Sequence, residues 1–221
     1  MRVEWHGQSA FTLTAPEATV VIDPFGDMTS LAGRRRFEYP PIAIESADLV
    51  LVTHEHLDHN GVEAVGGAPA VLRSTAGRLS SPIGELLAVA SEHDESAGTE
   101  RGPNTIFAFA LDGLRVAHFG DFGQRELRPE QADAIGAADL LFLPVGGGPT
   151  IGAAGAAAIA SRLAARWVVP MHYRTHRVDF LETEEDFVAQ MPQAARLDAP
   201  SFDTADLPSD ATPTAIVPAT P

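Results

Sequence analysis

The chain has 221 residues, a formal net charge of −15 at pH 7 and no cysteine. The negative balance opposes an electrostatic grip on a nucleic-acid backbone, and without cysteine there is neither a disulfide nor a thiolate metal ligand. Each of the 15 basic residues is arginine, which excludes a Walker-A lysine, a Schiff-base lysine and a carbamylated-lysine metal bridge together.

The length suits one large domain or two small ones, and one domain over residues 1–221 is the expectation. No stretch approaches the ~18 to 20 apolar residues of a membrane span. Met1 to His6 lacks the charged-then-apolar layout of a signal peptide, so a cytoplasmic location is the default. The partners expected are a small-molecule substrate and no nucleic acid, with a homo-oligomer left open.

Val3 to His6 and Phe11 to Leu13 read as two short strands around Gly7-Gln8-Ser9. Ala18 to Ile22 is a buried strand that stops at Asp23-Pro24-Phe25-Gly26, because Pro and Gly do not continue a central strand. Asp23 at its tip is either a turn-capping carboxylate or a partner that orients a nearby imidazole. Residues 26–45 have no clear period and contain Arg34-Arg35-Arg36; a loop this long is read as a lid or wall, and the arginine run as solvated. Within Asp48 to Val52, Leu49-Val50-Leu51-Val52 is unbroken apolar, hence a buried strand, and it delivers Thr53-His54-Glu55-His56-Leu57-Asp58-His59. Alternation along an extended segment predicts His54, His56 and Asp58 on one side, with His59 opening a short helix-like segment over Asn60 to Val65. Three imidazoles and a carboxylate in six positions read as a metal site, since imidazole suits zinc and similar cations. The H-E-x-x-H signature fails at Asp58, a zinc deaminase needs cysteines, and a (β/α)₈ barrel typically takes about 250 residues.

Ala70 to Arg73 is a short strand, and Ser74 to Ser81 an irregular or helical link. Leu86 to Ser91 is a strand that runs into His93, which alone reads as a surface residue. Asn104 to Leu111 and Leu114 to His118 form a hairpin across Asp112-Gly113. The second strand ends in Gly120-Asp121-Phe122-Gly123, whose glycines permit close backbone approach. Pro129 to Ile135 is a helix with Pro in its first turn, and Leu140 to Leu143 a buried strand. The loop Pro144 to Thr150 follows, with backbone N–H groups offered to an anionic group. The Ala-rich helix Ala153 to Ala165 precedes a last central strand, Trp167 to Pro170, which ends at Met171-His172-Tyr173. Thr183 to Met191 reads as a helix with a Thr183 and Asp186 capping pattern. In the Pro-, Ala- and Thr-rich tail of residues 200–221, Thr214 to Val217 is expected as a last edge strand. Each half thus holds a hairpin, a strand ending in Asp (Asp23, Asp121) and a strand-end histidine (His54, His172).

The run H-x-H-x-D-H at a strand end resembles the metallo-β-lactamase superfamily. Val21 to Phe25, His118 to Asp121 and Leu143 to Gly147 are similar to its metal-dependent hydrolase branch, related to ascorbate-6-phosphate lactonases and to N-acyl phosphatidylethanolamine phospholipase D. The resemblance implies an α/β (α+β) fold, a four-layer αββα sandwich with metals at one edge of two facing sheets. It implies two divalent metal ions per chain, Zn foremost with Mn or Fe as alternatives. His54, His56 and His93 would hold one and Asp58, His59 and His172 the other, with Asp121 bridging. Asp23 would stand behind a ligand imidazole, as Asp-Pro often does in that family. His56 favours hydrolysis over redox chemistry, because the flavodiiron branch usually carries Glu there.

The activity implied is hydrolysis of a small ester, lactone or phosphodiester by a metal-activated hydroxide, with Asp58 and Asp121 as the catalytic carboxylates. Asp58 would also orient the water. A phosphodiesterase or nuclease on the same site, and a metal-binding sensor or interaction module without turnover, are the rival readings. Of the other histidines, His6 and His118 read as structural or as supports packed near the site. His176, with Arg174, is a candidate for contact with an anionic substrate.

Overall fold

The computed structural model describes residues 1–28, 35–210 and 212–221. Residues 29–34 of the expected 26–45 loop, Arg34 among them, lie outside the described residues. Fourteen described strands form two sheets. Strands β1 (Arg2–Gly7), β2 (Ala10–Thr14), β3 (Thr19–Ile22), β4 (Leu49–Val52), β5 (Ala70–Arg73) and β13 (Ser201–Asp203) make the first, in the order β13-β1-β2-β3-β4-β5. The second contains β6 (Gly77–Ser81), β7 (Gly84–Glu92), β8 (Pro103–Leu111), β9 (Leu114–His118), β10 (Leu140–Pro144), β11 (Trp167–Met171), β12 (Gln193–Arg196) and β14 (Thr214–Val217). Its order is β12-β14-β11-β10-β9-β8-β7-β6.

The two sheets share one apolar core. Phe11 of the first and Phe142 of the second meet with ring centroids 4.5 Å apart, and Trp5 stacks on Tyr173 at 5.4 Å. β3, β4, β10 and β11 read as continuous apolar runs because both of their faces are covered. Helices α1 (Pro129–Ile135) and α2 (Ala153–Arg162) belong to the second sheet's side, α2 burying Ala156, Ile159 and Ala160. Over the outer face of the first sheet, Val21, Val50 and Val52 are covered by Ala47, Val65, Ile44 and Val62. That outer layer is irregular chain with one 3-10 turn, Val62–Ala64, where a helix-like segment was expected. The architecture is the α/β sandwich that the sequence implied, and no described helix is long and apolar enough to cross a membrane.

Direction matters more than strand count. In the first sheet β1, β2 and β3 alternate and β4 and β5 run parallel to β3; in the second β7, β8 and β9 alternate and β10 and β11 run parallel to β9. The two halves therefore share a strand pattern, but His54 follows the fourth strand of one and His172 the fifth of the other. The expected equivalence of these histidines is off by one strand. The Asp112-Gly113 turn has both residues at positive φ, 51° and 73°, as a two-residue hairpin turn matching strand twist requires.

Several expectations need correction. Residues 77–81 are not a link but β6, pairing antiparallel with β7 across Pro82-Ile83; as an edge strand with mostly exposed side chains it carries little apolar pattern. The Thr183 to Met191 helix shrinks to α3 (Glu185–Val188), and its N-cap is Glu184 without a side-chain cap, so the Thr183 pattern is unused. β14 is interior, flanked by β11 and β12, which explains why Thr214 to Val217 are all buried.

Because Phe142 touches Phe11 across the sandwich and is fully buried, Phe142→Ala should cost about 3–5 kcal/mol. Urea unfolding followed by tryptophan fluorescence measures it; a loss below about 1 kcal/mol would mean the core relaxes around the gap.

Candidate metal centre

The ends of the like-directed strands meet at one rim. Asp23 follows β3, His54 follows β4, His93 follows β7, Asp121 lies three residues past β9 and His172 follows β11. Two of these strand tips use the left-handed backbone region without glycine, Asp23 at φ 47° and His172 at φ 51°, an unfavourable conformation that tends to cluster at functional sites. Gly120, at φ 54°, does the same before Asp121, and a Cβ there would lie 2.5 Å from both Thr53 Oγ1 and Asn104 Oδ1. Only glycine fits.

Past β4 the chain does not stay extended. It turns, with His59 N donating to His56 O at 3.0 Å, so the grouping of His54, His56 and Asp58 comes from tight turns and not from strand alternation. His54 Nε2 lies 3.0 Å from His56 Nδ1. His54, His56 and His93 form one group of candidate ligands, and His54, His59 and Asp121 form a second. Asp121 stands between them: its Oδ2 is 3.2 Å from both His93 Nε2 and His172 Nε2, and its Oδ1 is 3.2 Å from His59 Nε2. Asp58 Oδ2 lies 3.8 Å from His59 Nε2. All seven residues singled out as metal ligands are thus brought together.

A set of neighbours fixes the rings. Asp23, fully buried, accepts from Thr53 N (2.8 Å), from Thr53 Oγ1 (2.7 Å) and from His59 Nδ1 (2.9 Å). Since the Thr53 hydroxyl donates to Asp23, its oxygen is left to accept from His54 Nδ1, 3.1 Å away. His93 Nδ1 donates to the Pro149 carbonyl at 3.1 Å. In each case Nδ1–H is taken and Nε2 is turned toward Asp121, the arrangement that leaves a ring nitrogen free for a cation. Among the described residues, His59 Nε2, His172 Nδ1 and the Gln8 side-chain amide are buried with no hydrogen-bond partner. Asp121 itself is held by Ser9 Oγ (3.3 Å) and, through its N–H, by Asn104 Oδ1 (3.1 Å). Thr53, Ser9, Asn104 and Pro149 carried no signal in the sequence, because an ordinary polar side chain or a carbonyl announces itself only through its spatial partner.

The electrostatics are those of a site that wants cations. Burial, and then the neighbouring His59, push His54 far below its ordinary value, so it is neutral. Burial opposes charge on His59, but Asp121, Asp23 and Asp58 outweigh it and hold its pKa well above the usual histidine value of 6.5. Burial likewise opposes charge on Asp121, and His172 and His59 reverse this and keep it ionised. Five clustered imidazoles, an ionised buried carboxylate between them and two orphaned ring nitrogens, His59 Nε2 and His172 Nδ1, fit a divalent-metal site.

The remaining candidates fall elsewhere. His118 is fully buried and neutral through burial; its Nε2 donates to Ser9 O (3.0 Å) and its Nδ1 accepts from Gly120 N (3.2 Å), so it pins two backbone segments behind Asp121. His6 bonds to Thr12 Oγ1 at 2.8 Å. Arg174 and His176 do not line the cavity over the cluster: Arg174 Nε donates to the Leu181 carbonyl, and His176 is an exposed residue of the following turn. Instead the cavity, about 390 Å³, is walled by Arg35, Phe37, Arg101, Pro149 and Phe180. The Pro144 to Thr150 loop does not present its first N–H groups either, since Val145, Gly146 and Gly147 donate to Met171, His172 and Ile151 carbonyls. Its contribution is the Pro149 oxygen on His93.

A family model for the beta-lactamase superfamily domain matches residues 2–172. A metal-dependent hydrolase of the UPF0173 group from Thermococcus kodakarensis is 30% identical over 206 residues, covering 79% of this chain and 85% of its own. Another from Nitratidesulfovibrio vulgaris is 30% identical over 212 residues, covering 80% and 82%. Among solved structures, a candidate Zn-dependent hydrolase of the metallo-beta-lactamase superfamily from Thermotoga maritima superposes with a TM-score of 0.78 at 27% identity, covering 98% of each chain.

Two outcomes follow from the geometry. Asp23→Asn replaces a three-fold acceptor, and metal affinity should fall by about 10–100-fold, measured by competition with a chelator; unchanged affinity would remove Asp23 from the site's support. His59 must shed a proton to bind a cation, so metal uptake should release protons and tighten as pH rises above the ordinary histidine range. The metal-free fold runs the other way. A raised His59 pKa contributes stability fully present below about 6.5 and lost as pH climbs through the raised value. Calorimetry in buffers of different ionisation enthalpy, with thermal melts of metal-free protein across pH 6–9, reads both.

Proposed function

We propose, from the premise that the chain belongs to the beta-lactamase superfamily and is a metal-dependent hydrolase, that it holds two divalent cations and cleaves a small ester, lactone or phosphodiester. His54, His56 and His93 hold the first cation, and Asp58, His59 and His172 the second. Asp121 is shared. The observation that carries this reading is the position of Asp121, whose two oxygens lie 3.2 Å from imidazoles of both sets. A single cation would use one set and leave the other without a cation, although Asp121 faces both.

Zinc suits this imidazole-rich donor set, with Mn or Fe as alternatives. Cations held here supply acidified water at neutral pH and neutralise charge that develops on the substrate oxygen. The protein's own groups do the rest. Asp58, with 23% of its side chain exposed, lines the cavity, orients the attacking water, accepts its proton and returns it to the leaving oxygen. Ser9 and Asn104 hold Asp121 in place, so little reorganisation is needed as charge shifts.

Metal content by plasma mass spectrometry on chelator-free protein should give close to two cations per chain. Asp121→Ala should lower that content and reduce kcat/KM on any cleaved ester by roughly 10³-fold. Two cations with unchanged turnover in that variant would sink the shared role of Asp121. Protein that binds no metal and cannot be reconstituted would sink the dinuclear reading itself.

A further inference from the structure

Resting on that reading, we infer that the substrate carries an anionic group, a carboxylate or phosphate, on a compact apolar body, and that Arg35 and Arg101 receive that group. The cavity's composition points there. Two carboxylates, Asp58 and Asp121, line it, and so do two guanidiniums, Arg35 and Arg101. The cavity is therefore balanced before any cation enters. Two divalent cations then leave the lining net positive even with Asp58 and Asp121 as their ligands, inside a chain whose overall charge is −15. An incoming anion supplies the missing compensation.

The two arginines are suited to it. Among the described residues, six arginines pair with carboxylates (Arg73, Arg78, Arg115, Arg125, Arg128 and Arg196). Neither Arg35 nor Arg101 does, in a chain with 30 acidic residues. Arg35 lies over the Phe180 ring at 4.6 Å, which orients a planar guanidinium while leaving its N–H edge open. Arg101 is placed by its backbone. The Asp94 carboxylate accepts from the N–H groups of Ser96 (2.8 Å), Gly98 (2.8 Å), Glu100 (3.1 Å) and Arg101 (2.8 Å). That wraps residues 94–101 into a fixed loop beginning immediately after His93. Phe37, Phe180 and Pro149 provide the apolar wall, and about 390 Å³ fits a ligand of one ring or a short chain.

The test compares phenyl acetate with 4-acetoxybenzoate and 4-acetoxyphenylphosphonate on metal-loaded protein, with calorimetric titration of benzoate and phenylphosphonate into the same metal-loaded protein. Both anionic esters should be preferred by at least about tenfold in kcat/KM, the factor of one charge-assisted hydrogen bond. Which of the two is preferred tells carboxylate from phosphate. Arg35→Gln and Arg101→Gln should each reduce the anionic-to-neutral ratio roughly tenfold, mainly through KM, and weaken anion binding. Arg162→Gln, at another surface, is the control that changes neither. Equal rates on neutral and anionic esters, with calorimetry unaffected by either substitution, overturn the inference. If no ester is cleaved although two cations are bound, the hydrolytic reading is what fails. The calorimetry still decides this inference: loss of anion binding in both variants supports it, and unchanged binding rejects it.

Discussion

The site depends on one buried carboxylate. Asp23 is fully desolvated, and its charge is tolerable only because three donors converge on it: the Thr53 amide, the Thr53 hydroxyl and His59 Nδ1. Through the hydroxyl its influence extends one residue further, to His54 Nδ1. One side chain at the tip of β3 thus sets the tautomer of two imidazoles delivered by the neighbouring strand β4. The backbone bond from Asp23 N to Leu51 O locks the two strand tips together. Removing this carboxylate would leave the imidazoles present but unaimed.

The fold makes such convergence inexpensive. Parallel neighbours end at the same rim, so residues far apart in sequence, from Asp23 to His172, meet at one edge. The cost is local: each chain must turn sharply as it leaves its sheet. Asp23, Gly120 and His172 accept left-handed φ values for that reason. Glycine at position 120 is required twice over, by φ and by the space that Asn104 and Thr53 occupy. Behind it His118, neutral and bonded on both ring nitrogens, ties the β9 exit to the β1–β2 turn.

Much of this was legible in the residues. Short apolar runs marked the buried strands, and the histidine spacing after β4 marked the metal cluster, because chemistry that needs several like ligands leaves a dense local signature. His93, Asp121 and His172 were found only by resemblance, since a lone strand-end residue has no signature of its own. Exposed β6, with few apolar residues, and β12, which pairs with a distant segment, were invisible to periodicity. The placement of β14 inside the sheet depended on β12 and so failed with it. Arg174 and His176 follow His172 directly in sequence, but the chain reverses there and carries them past the cavity. Arg35 and Arg101 arrive from segments about 70 residues apart, at positions no linear pattern relates.

The way His93 is oriented has an evolutionary consequence. Its Nδ1 is held by a main-chain oxygen, that of Pro149, whereas His59 is held by the Asp23 carboxylate directly and His54 through the Thr53 hydroxyl that Asp23 accepts from. A codon change can delete a carboxylate, but none deletes a carbonyl. Genetic drift therefore threatens the two halves of this cluster unequally. The β4 half can be disarmed by one substitution at Asp23, while the His93 half survives any replacement at 149 that keeps the loop's path. One substitution at Asp23 would thus loosen His54 and His59 while leaving the His93 ring aimed.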